Sequence, residues 1–426
     1  MALAGGQLGR SRATPEGVVR AHHGDRLIPV FTILLMFVGL LVIYAIGPQR
    51  ANLMNSIYGF EYSESYFFIK QLTSFIAAMV VFWVMTIIPY EFFFKHASKV
   101  LWAGFIACAF LAVAGWTEMI PATNGAVRWI NLGPLGSIQP AEILKFGLLL
   151  YFAVFLGVRA KLGQINDFHK TLLPVAVISA AAILFVIVIQ KDLGTGISLT
   201  AIIATMLVVA GISKKIIVTL FSALLVGGLL LIFTSPHRVE RVMTFMQGDS
   251  TSTSDADAYH IQHAKIAIGS GGFLGVGIGE SVQASGYLPE AINDSIFAVI
   301  GETFGFVGTV ALLALFVALL MRLLGVMDFL VDLRLKLLAA GVFGWLGSHV
   351  ILNIAAMIGL VPLTGITLPL LSYGGTSMVF ITAALGLVFQ LSRYTVHSSR
   401  IKEATNEDSR SRRGVGRARY AGRRSS

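Results

Sequence analysis

The sequence has little of what builds a soluble enzyme or a disulfide-rich secreted protein. Only 13% of its 426 residues are charged and 56% are hydrophobic, which excludes an ordinary soluble globular domain. Its one cysteine, Cys108, excludes a disulfide within the chain. A cleavable signal peptide is also not evident, because residues 1–27 are polar and basic and the first apolar run has no small-residue cleavage site.

Long apolar runs are present instead. A bilayer is crossed by about 20 predominantly apolar residues in a helix, and ten stretches of the sequence meet or approach that length. They are residues 28–46, 68–89, 100–116, 140–158, 172–190, 194–211, 216–234, 295–320, 337–358 and 367–391. We therefore predict an all-α integral membrane protein with about ten transmembrane helices.

Lysine and arginine are distributed unequally between the two sides of this predicted membrane domain. With both chain ends on one side, 24 of the 32 Lys and Arg residues fall on that side. Cytoplasmic loops of membrane proteins carry the excess of these residues, so we predict that both termini are cytoplasmic.

The sequence divides into three regions. Residues 1–27 form a basic cytoplasmic segment, residues 28–392 the membrane domain and residues 393–426 a basic cytoplasmic tail. We predict a disordered, solvated tail that enforces the topology. The alternative is a tail that contacts anionic lipid headgroups or a partner.

A long outer segment, residues 235–293, separates the seventh and eighth spans. Loops of this length are usually functional or disordered. We expect its first half, with "QGDSTSTSDADA", to be mobile and its glycine-rich second half to fold back against the membrane surface. The glycines lack the spacing of a dinucleotide fingerprint. His260 and His263 lack an HExxH context, so we do not expect a zinc site there.

Three acids surround the start of the eighth span. Glu290 and Asp294 lie at its outer lip and Glu302 lies inside it. Asp294 and Asn293 are both suited to cap the helix, and a cap at Asn293 leaves Asp294 for chemistry. Glu302 lies two turns deeper, within about 80° of Asp294 around the helix. Acids inside a span normally face protein or a watery cavity, so we predict a polar stripe descending from the outer surface.

The fourth span opens with "SIQPAEILKF". Pro140 fits the first helical turn, and Glu142 suits the positive end of the helix dipole. Lys145, one turn further on, is placed either for a local ion pair with Glu142 or for binding an anion.

Most of the other outer cations lie at the mouths of spans, where the orientation rule disfavours them. They are Arg128 in "NGAVRWINLG", Lys191 next to Asp192 in "QKDLGTG", and Arg238 and Arg241 in "HRVERV". A negatively charged, lipid-linked substrate on the outer face explains this placement. Phosphate needs compensating cations, and the lipid tail needs the bilayer.

The last outer turn, "GLVPLTGITLPLLSYGGTS", is interrupted by prolines and glycines. Irregular backbone at membrane depth is tolerated where it is buried in protein or lines a water-filled cavity. We predict that this turn lines a cavity, to which Ser372 and Tyr373 offer hydroxyl groups. The alternative is a helix that is merely kinked.

Four stretches resemble motifs of one family. They are "NGAVRWINLGPLGSIQPAEILKF", "QKDLGTG", "GSGGFLGVGIGESVQASGYLPEAINDSIFAVIGETFGFVG" and "PLTGITLPLLSYGGTS". In this order and over nearly the whole membrane domain, they resemble the SEDS family, the FtsW/RodA/SpoVE group of bacterial peptidoglycan glycosyltransferases. The stretch "TGITLPL" resembles FtsW or SpoVE more than RodA, because RodA sequences commonly have a proline in place of a threonine of this stretch.

The resemblance implies an activity and assigns residues to it. Such a protein polymerises lipid II into glycan strands at the outer face of the bacterial cytoplasmic membrane, in cell division or cell-shape synthesis. The catalytic aspartate of the family's TDFIF motif maps to Asp294, and its Arg, Glu and Lys map to Arg128, Glu142 and Lys145. The sequence departs from the family at Ile292-Asn293 for His-Thr, at Ser295 for Phe and at Lys191 for Pro.

From the resemblance we expect Asp294 to act as general base while undecaprenyl pyrophosphate leaves. Cations, and a divalent cation such as Mg²⁺ or Mn²⁺, would meet the diphosphate charge. Glu290 and Glu302 would shape the field of the cavity. A class B penicillin-binding protein is the implied partner, beside other divisome or elongasome proteins, and no nucleic acid is expected. Two alternatives are a lipid II flippase and a non-catalytic scaffold for the transpeptidase.

Overall fold

The structure, a computed structural model, is almost entirely helical over the residues that it describes. These are residues 23–117, 119–120, 127–131, 133, 137–220, 222, 239 and 256–395. The helices are α1 Leu27–Tyr58, α2 Tyr66–Ile87, α3 Tyr90–Trp116, α4 Pro140–Lys161, α5 Phe168–Ile189, α6 Leu193–Val209, α7 Ala256–Ser270, α8 Ile296–Phe329, α9 Leu333–Met357 and α10 Gly375–Leu391. Two short strands, β1 Ile130–Asn131 and β2 Ser137–Ile138, pair antiparallel before α4.

Eight of these helices are long and apolar enough to cross a membrane, and α6 is a shorter apolar helix. They coincide with nine of the ten predicted spans, which confirms an all-α multi-pass membrane fold. The chain is also helical over residues 214–220, where the seventh predicted span, 216–234, begins. Most of that span lies outside the described residues, as do residues 1–22 and most of the C-terminal tail.

The two described chain ends lie on the same face of the protein. The backbone N–H of Asp25, before α1, donates to Ser392 Oγ after α10 at 2.8 Å. Leu330, at the end of α8, forms an isolated antiparallel bridge with Thr395. This arrangement agrees with the predicted placement of both termini on one side.

Several helices begin or end elsewhere than predicted. With 32 residues, α1 is about 48 Å long, whereas the hydrocarbon core is about 30 Å thick. The helix continues through Pro48, and Gln49 Nε2 donates to the carbonyl of Gly279 in the outer loop at 2.9 Å. At the other end of the chain, α10 begins only at Gly375 because Leu370 and Gly374 have positive φ angles of 69° and 150°.

Close contact between α3 and α4 fixes the position of the buried start of α4. A side-chain carbon added at Gly104 would lie 2.6 Å from Leu144 Cα, and one added at Gly147 would lie 2.7 Å from Leu101 Cα. Small residues at such contacts let membrane helices approach closely. The two glycines therefore hold the turn that carries Glu142 and Lys145 against α3.

The backbone of α8 is interrupted at Gly305, where φ is 63° and ψ is −160°. Glycine alone adopts this conformation readily. The loop after α7 lies against the break and supplies hydrogen bonds: Val276 N–H donates to the carbonyl of Glu302 at 2.9 Å, and Phe306 N–H donates to that of Gly272 at 3.0 Å. The second half of the outer segment therefore packs along α8, which satisfies backbone groups that water cannot reach in a membrane.

Candidate active site

An ion pair lies inside the protein at the start of α4. Lys145 Nζ is 2.7 Å from Glu142 Oε1, and the two side chains are 0% and 3% exposed. The helix begins at Pro140, as predicted, which puts Glu142 in its first turn. The ammonium also lies 3.5 Å from His349 Nε2 and 4.8 Å from the ring centroid of Trp345. The local ion pair that the sequence spacing allowed is therefore present, and protein encloses the lysine.

A second group of predicted residues joins the outer segments. Arg128 donates from Nε to the carbonyl of Gln190 at 3.2 Å and from Nη2 to that of Lys191 at 2.8 Å. Asp192 is the N-cap of α6, and its second oxygen accepts from Gln139 Nε2 at 3.1 Å. The segment before α4 and the turn between α5 and α6 therefore meet at one place.

Asp294 lies at the outer start of α8 and is half-buried. The N-cap residue of the helix is Ser295, whose side chain makes no capping bond. The two predicted caps, Asn293 and Asp294, therefore do not occupy the cap position. Asn293 Nδ2 instead donates to the carboxylate of the exposed Glu290. The carbonyl of Asp294 accepts from Asn353 Nδ2 of α9 at 2.7 Å.

One face of α9 connects Asp294 with the buried lysine. His349 lies next to Lys145, and Asn353, one turn further on, binds the carbonyl of Asp294. The two α9 residues are about 6 Å apart along the helix axis. Asn353 donates also to the carbonyl of Ile366 at 2.7 Å. The sequence reasoning missed both α9 residues, although a His and an Asn at i, i+4 in an apolar span indicate a face that meets protein or a cavity.

The irregular loop between α9 and α10 lies beside Asp294. The N–H of Tyr373 donates to the carbonyl of Ile292 at 2.8 Å. Ser372 is buried, and its hydroxyl accepts from the N–H of Leu368 at 2.8 Å. Burial raises the pKa of the Tyr373 phenol. The loop with the two predicted hydroxyl residues therefore contacts the segment before Asp294 through its backbone. The ring of Tyr373 packs against that of Phe67, with centroids 5.5 Å apart, and the Ser372 hydroxyl holds its own loop.

Glu302 is committed to the fold of the outer segment. It is 1% exposed, and its carboxylate accepts hydrogen bonds from the N–H groups of Val282 at 3.1 Å and Gln283 at 3.2 Å and from the Ser281 hydroxyl. Burial with three donors explains how a membrane helix carries this acid, and its influence on the field of the cavity stays a prediction. The two remaining predicted site residues lie outside the described residues: Arg238 and Arg241.

The histidines of α7 have protein partners. His260 Nε2 lies 2.5 Å from Ser295 Oγ, and His263 Nδ1 lies 2.7 Å from Gln283 Oε1. Among the described residues, no group of three or more His, Cys, Asp or Glu side chains could hold a metal ion.

Comparison with known sequences shows similarity over nearly the whole chain. The model of the family FtsW/RodA/SpoVE, described as "Cell cycle protein", matches residues 25–397. Stage V sporulation protein E of Bacillus subtilis is 32% identical over 377 residues, covering 87% of this chain and 97% of that protein. The probable peptidoglycan glycosyltransferase FtsW of Nitrosomonas europaea is 31% identical over 372 residues, covering 86% and 92%.

Solved structures share the fold. One described as "Structural coordination of polymerization and crosslinking by a peptidoglycan synthase complex" contains a chain that matches with a TM-score of 0.68 at 25% identity, covering 87% of this chain and 98% of that one. The rod shape determining protein RodA of Thermus thermophilus matches with a TM-score of 0.62 at 24% identity, covering 88% and 98%. These matches agree with the multi-pass helical fold predicted from the sequence.

Proposed function

From the premise that this chain belongs to the FtsW/RodA/SpoVE family and is a peptidoglycan glycosyltransferase of the bacterial cytoplasmic membrane, we propose that Asp294 is its general base. The substrate is lipid II, and the product is a glycan strand on the outer face of the membrane. The observation that carries the proposal is the position of Asp294, half-buried at the outer start of α8, where α9 and the α9–α10 loop meet.

The proposed reaction is a single displacement. The 4-hydroxyl of the acceptor sugar attacks the anomeric carbon of the donor, and the bond from that carbon to the diphosphate oxygen breaks. Asp294 takes the hydroxyl proton, and undecaprenyl pyrophosphate leaves with the bonding electrons. One base suffices because a single inversion needs no covalent sugar–enzyme intermediate.

Among the described cations, we assign the diphosphate of the substrate to Arg128. A guanidinium has five N–H donors, and the bonds to the carbonyls of residues 190 and 191 use only Nε and Nη2. These bonds hold the side chain at the outer turn, next to Lys191 and Asp192. Arg238 and Arg241 complete the proposed set of cations from the sequence.

For Lys145 we propose a positioning role in place of direct contact with the diphosphate. Its ammonium is fully buried and paired with Glu142, and removing one partner of a buried pair is strongly unfavourable. Through His349 the pair supports the face of α9 that holds Asp294.

The proposal assigns a divalent cation, Mg²⁺ or Mn²⁺, to the diphosphate of the bound substrate. Mg²⁺ usually binds through one or two carboxylates together with substrate phosphates. Among the described residues, no group of three or more His, Cys, Asp or Glu side chains is available to hold the ion without the substrate. Polymerisation in EDTA, followed by addition of Mg²⁺ or Mn²⁺, measures the requirement, and unchanged activity in EDTA contradicts it.

Asp294→Asn tests the general base. The variant keeps nearly the same shape, so we expect a folded protein that binds lipid II and forms no glycan strands. The measurement is polymerisation of lipid II by purified protein in proteoliposomes, with binding and thermal unfolding as controls. Normal strands from this variant contradict the assignment, whereas movement of lipid II without product from the unaltered chain indicates a flippase.

We also propose a class B penicillin-binding protein as partner. A structural relative occurs in a peptidoglycan synthase complex that coordinates polymerization and crosslinking. Polymerisation measured with and without a candidate transpeptidase tests this, because a true partner raises the rate and co-purifies with the chain. An inactive transpeptidase that co-purifies equally separates a contact effect from crosslinking.

For the cellular role we propose septal synthesis, because several relatives are named FtsW and the "TGITLPL" stretch resembles the FtsW and SpoVE members of the family. Depletion should then give filamentous cells. Rounded cells of normal division frequency would assign the protein to cell-shape synthesis instead.

A further inference from the structure

The segment that carries Asp294 is held by three elements that are distant in the sequence. Tyr373 of the last outer loop binds the carbonyl of Ile292, and Asn353 of α9 binds the carbonyl of Asp294. The third contact comes from α7, where His260 binds the hydroxyl of Ser295. Three hydrogen bonds therefore hold the segment around the proposed base. The third comes from His260, a residue that has no role in the proposed reaction.

The hydrogen-bond directions at Ser295 follow from its two partners. Its Oγ donates to the carbonyl of Pro289 at 2.8 Å, because a carbonyl can only accept. The oxygen then accepts from His260 Nε2, which lies 2.5 Å away and must carry a proton. Both residues are buried: His260 is 8% exposed and Ser295 is 0% exposed. The bonded pair thus closes the turn from residue 289 to residue 295, in which Asp294 lies.

The neighbouring histidine on the same helix is not part of this contact. His263 binds Gln283 Oε1 at 2.7 Å, and its ring lies 4.1 Å from that of Tyr259 and 6.1 Å from that of Tyr287. It therefore serves as a matched control: the same residue type on the same helix, bonded to another part of the loop.

We propose that His260 is a positioning residue for Asp294 and acts through Ser295. The inference rests on the proposed function, since it assumes that Asp294 is the base. Its consequence is that α7, which belongs to the long outer segment, is needed for full activity of the membrane domain.

The experiment compares His260→Ala, His260→Gln and His263→Ala in the full-length protein in proteoliposomes. A glutamine amide can donate near the position of Nε2, so we expect the Gln variant to recover much of the activity that the Ala variant loses. For His260→Ala we expect kcat to fall about tenfold or more, with KM changed less than threefold, because loss of one buried hydrogen bond misplaces the base without removing a substrate contact. His263→Ala should keep kcat within about twofold.

A double-mutant cycle with Ser295→Ala separates positioning from general destabilisation. If the histidine acts through the serine, the double variant is about as active as the weaker single variant. Single effects that multiply, or a His260→Ala variant with unchanged kcat per folded molecule, overturn the inference. Thermal unfolding gives the folded fraction, and Asp294→Asn is measured in parallel. An inactive Asp294→Asn with a fully active His260→Ala refutes this inference alone, whereas an active Asp294→Asn refutes the proposed function.

Discussion

Replacement of Asn353 by alanine is the most direct structural perturbation of the candidate site. The amide donates to the carbonyls of Asp294 and Ile366, both at 2.7 Å, from a side chain that is 1% exposed. Loss of its donor costs a buried carbonyl about 1–3 kcal/mol, which applies in full to the buried bond to Ile366 and in part to the partly buried bond to Asp294. Part of this loss lowers the free energy of unfolding. The rest displaces Asp294 and raises the activation free energy, and each increase of about 1.4 kcal/mol lowers kcat tenfold.

The assay has two readouts and a matched control. Lipid II polymerisation gives kcat per folded molecule, and thermal unfolding gives the stability. Gln390 is also a buried amide, and its Nε2 donates to the carbonyls of Met85, Thr86 and Ile88 at 3.2, 3.3 and 2.7 Å at the opposite end of the protein. We expect Gln390→Ala to lower the unfolding temperature as much as Asn353→Ala does while it retains kcat.

The reasoning fails if Asn353→Ala retains kcat within twofold of that of the unaltered protein. It fails equally if Gln390→Ala loses as much kcat per folded molecule, because the effect would then be general loosening of the membrane domain. A fall in kcat with nearly constant KM is the expected pattern for a displaced base.

Two further predictions concern charge. Lys145→Met should lower the free energy of unfolding by about 3–5 kcal/mol because it leaves Glu142 buried without its cation. A second change, Glu142→Gln, should restore part of the thermal stability. A double variant that is no more stable than Lys145→Met alone would contradict this. Asp332 should stabilise the protein in a pH-dependent way: burial alone would raise the pKa of this carboxyl, but hydrogen bonds and charge from Arg334 lower it below its usual value. The folded-state pKa is thus below the unfolded one, so the stabilisation is present above about pH 4 and is lost as the pH falls through the folded-state pKa. The unaltered protein should therefore unfold at a higher temperature than Asp332→Asn at about pH 6, and the difference should shrink towards about pH 3; a constant difference would contradict the coupling.

Hydropathy was sufficient to predict most of the fold, because each span must satisfy its backbone internally and cover itself with apolar side chains. The boundaries were less predictable. Residues 47–58 continue α1 although they include Pro48 and several polar side chains, since the outer loop packs against them. The start of α10 was placed too early because hydropathy does not register the positive φ angles at Leu370 and Gly374.

Residues of the candidate site could be predicted where a charged side chain lies in or next to an apolar span. They could not be predicted where the role of a residue depends on a contact with a residue distant in the sequence. Asp294 and Glu142 stand out because burying acids is costly. His349 and Asn353 look like isolated polar residues until α9 is packed against α4 and α8, and no spacing rule connects His260 with Ser295. The sequence shows Glu302 as an acid inside a span, but it does not show that the N–H groups of Val282 and Gln283 bind its carboxylate.

The interruption at Gly305 divides α8 into an outer part, residues 296–304, and an inner part, residues 306–329. The glycine loop at residues 272–277 is hydrogen-bonded to both parts: Val276 N–H donates to the carbonyl of Glu302 on the outer side, and the carbonyl of Gly272 accepts from Phe306 N–H on the inner side. The loop therefore joins the two halves of the helix that begins next to Asp294, so a displacement of the loop would act on both halves about two to three helical turns from the carboxylate proposed as the base.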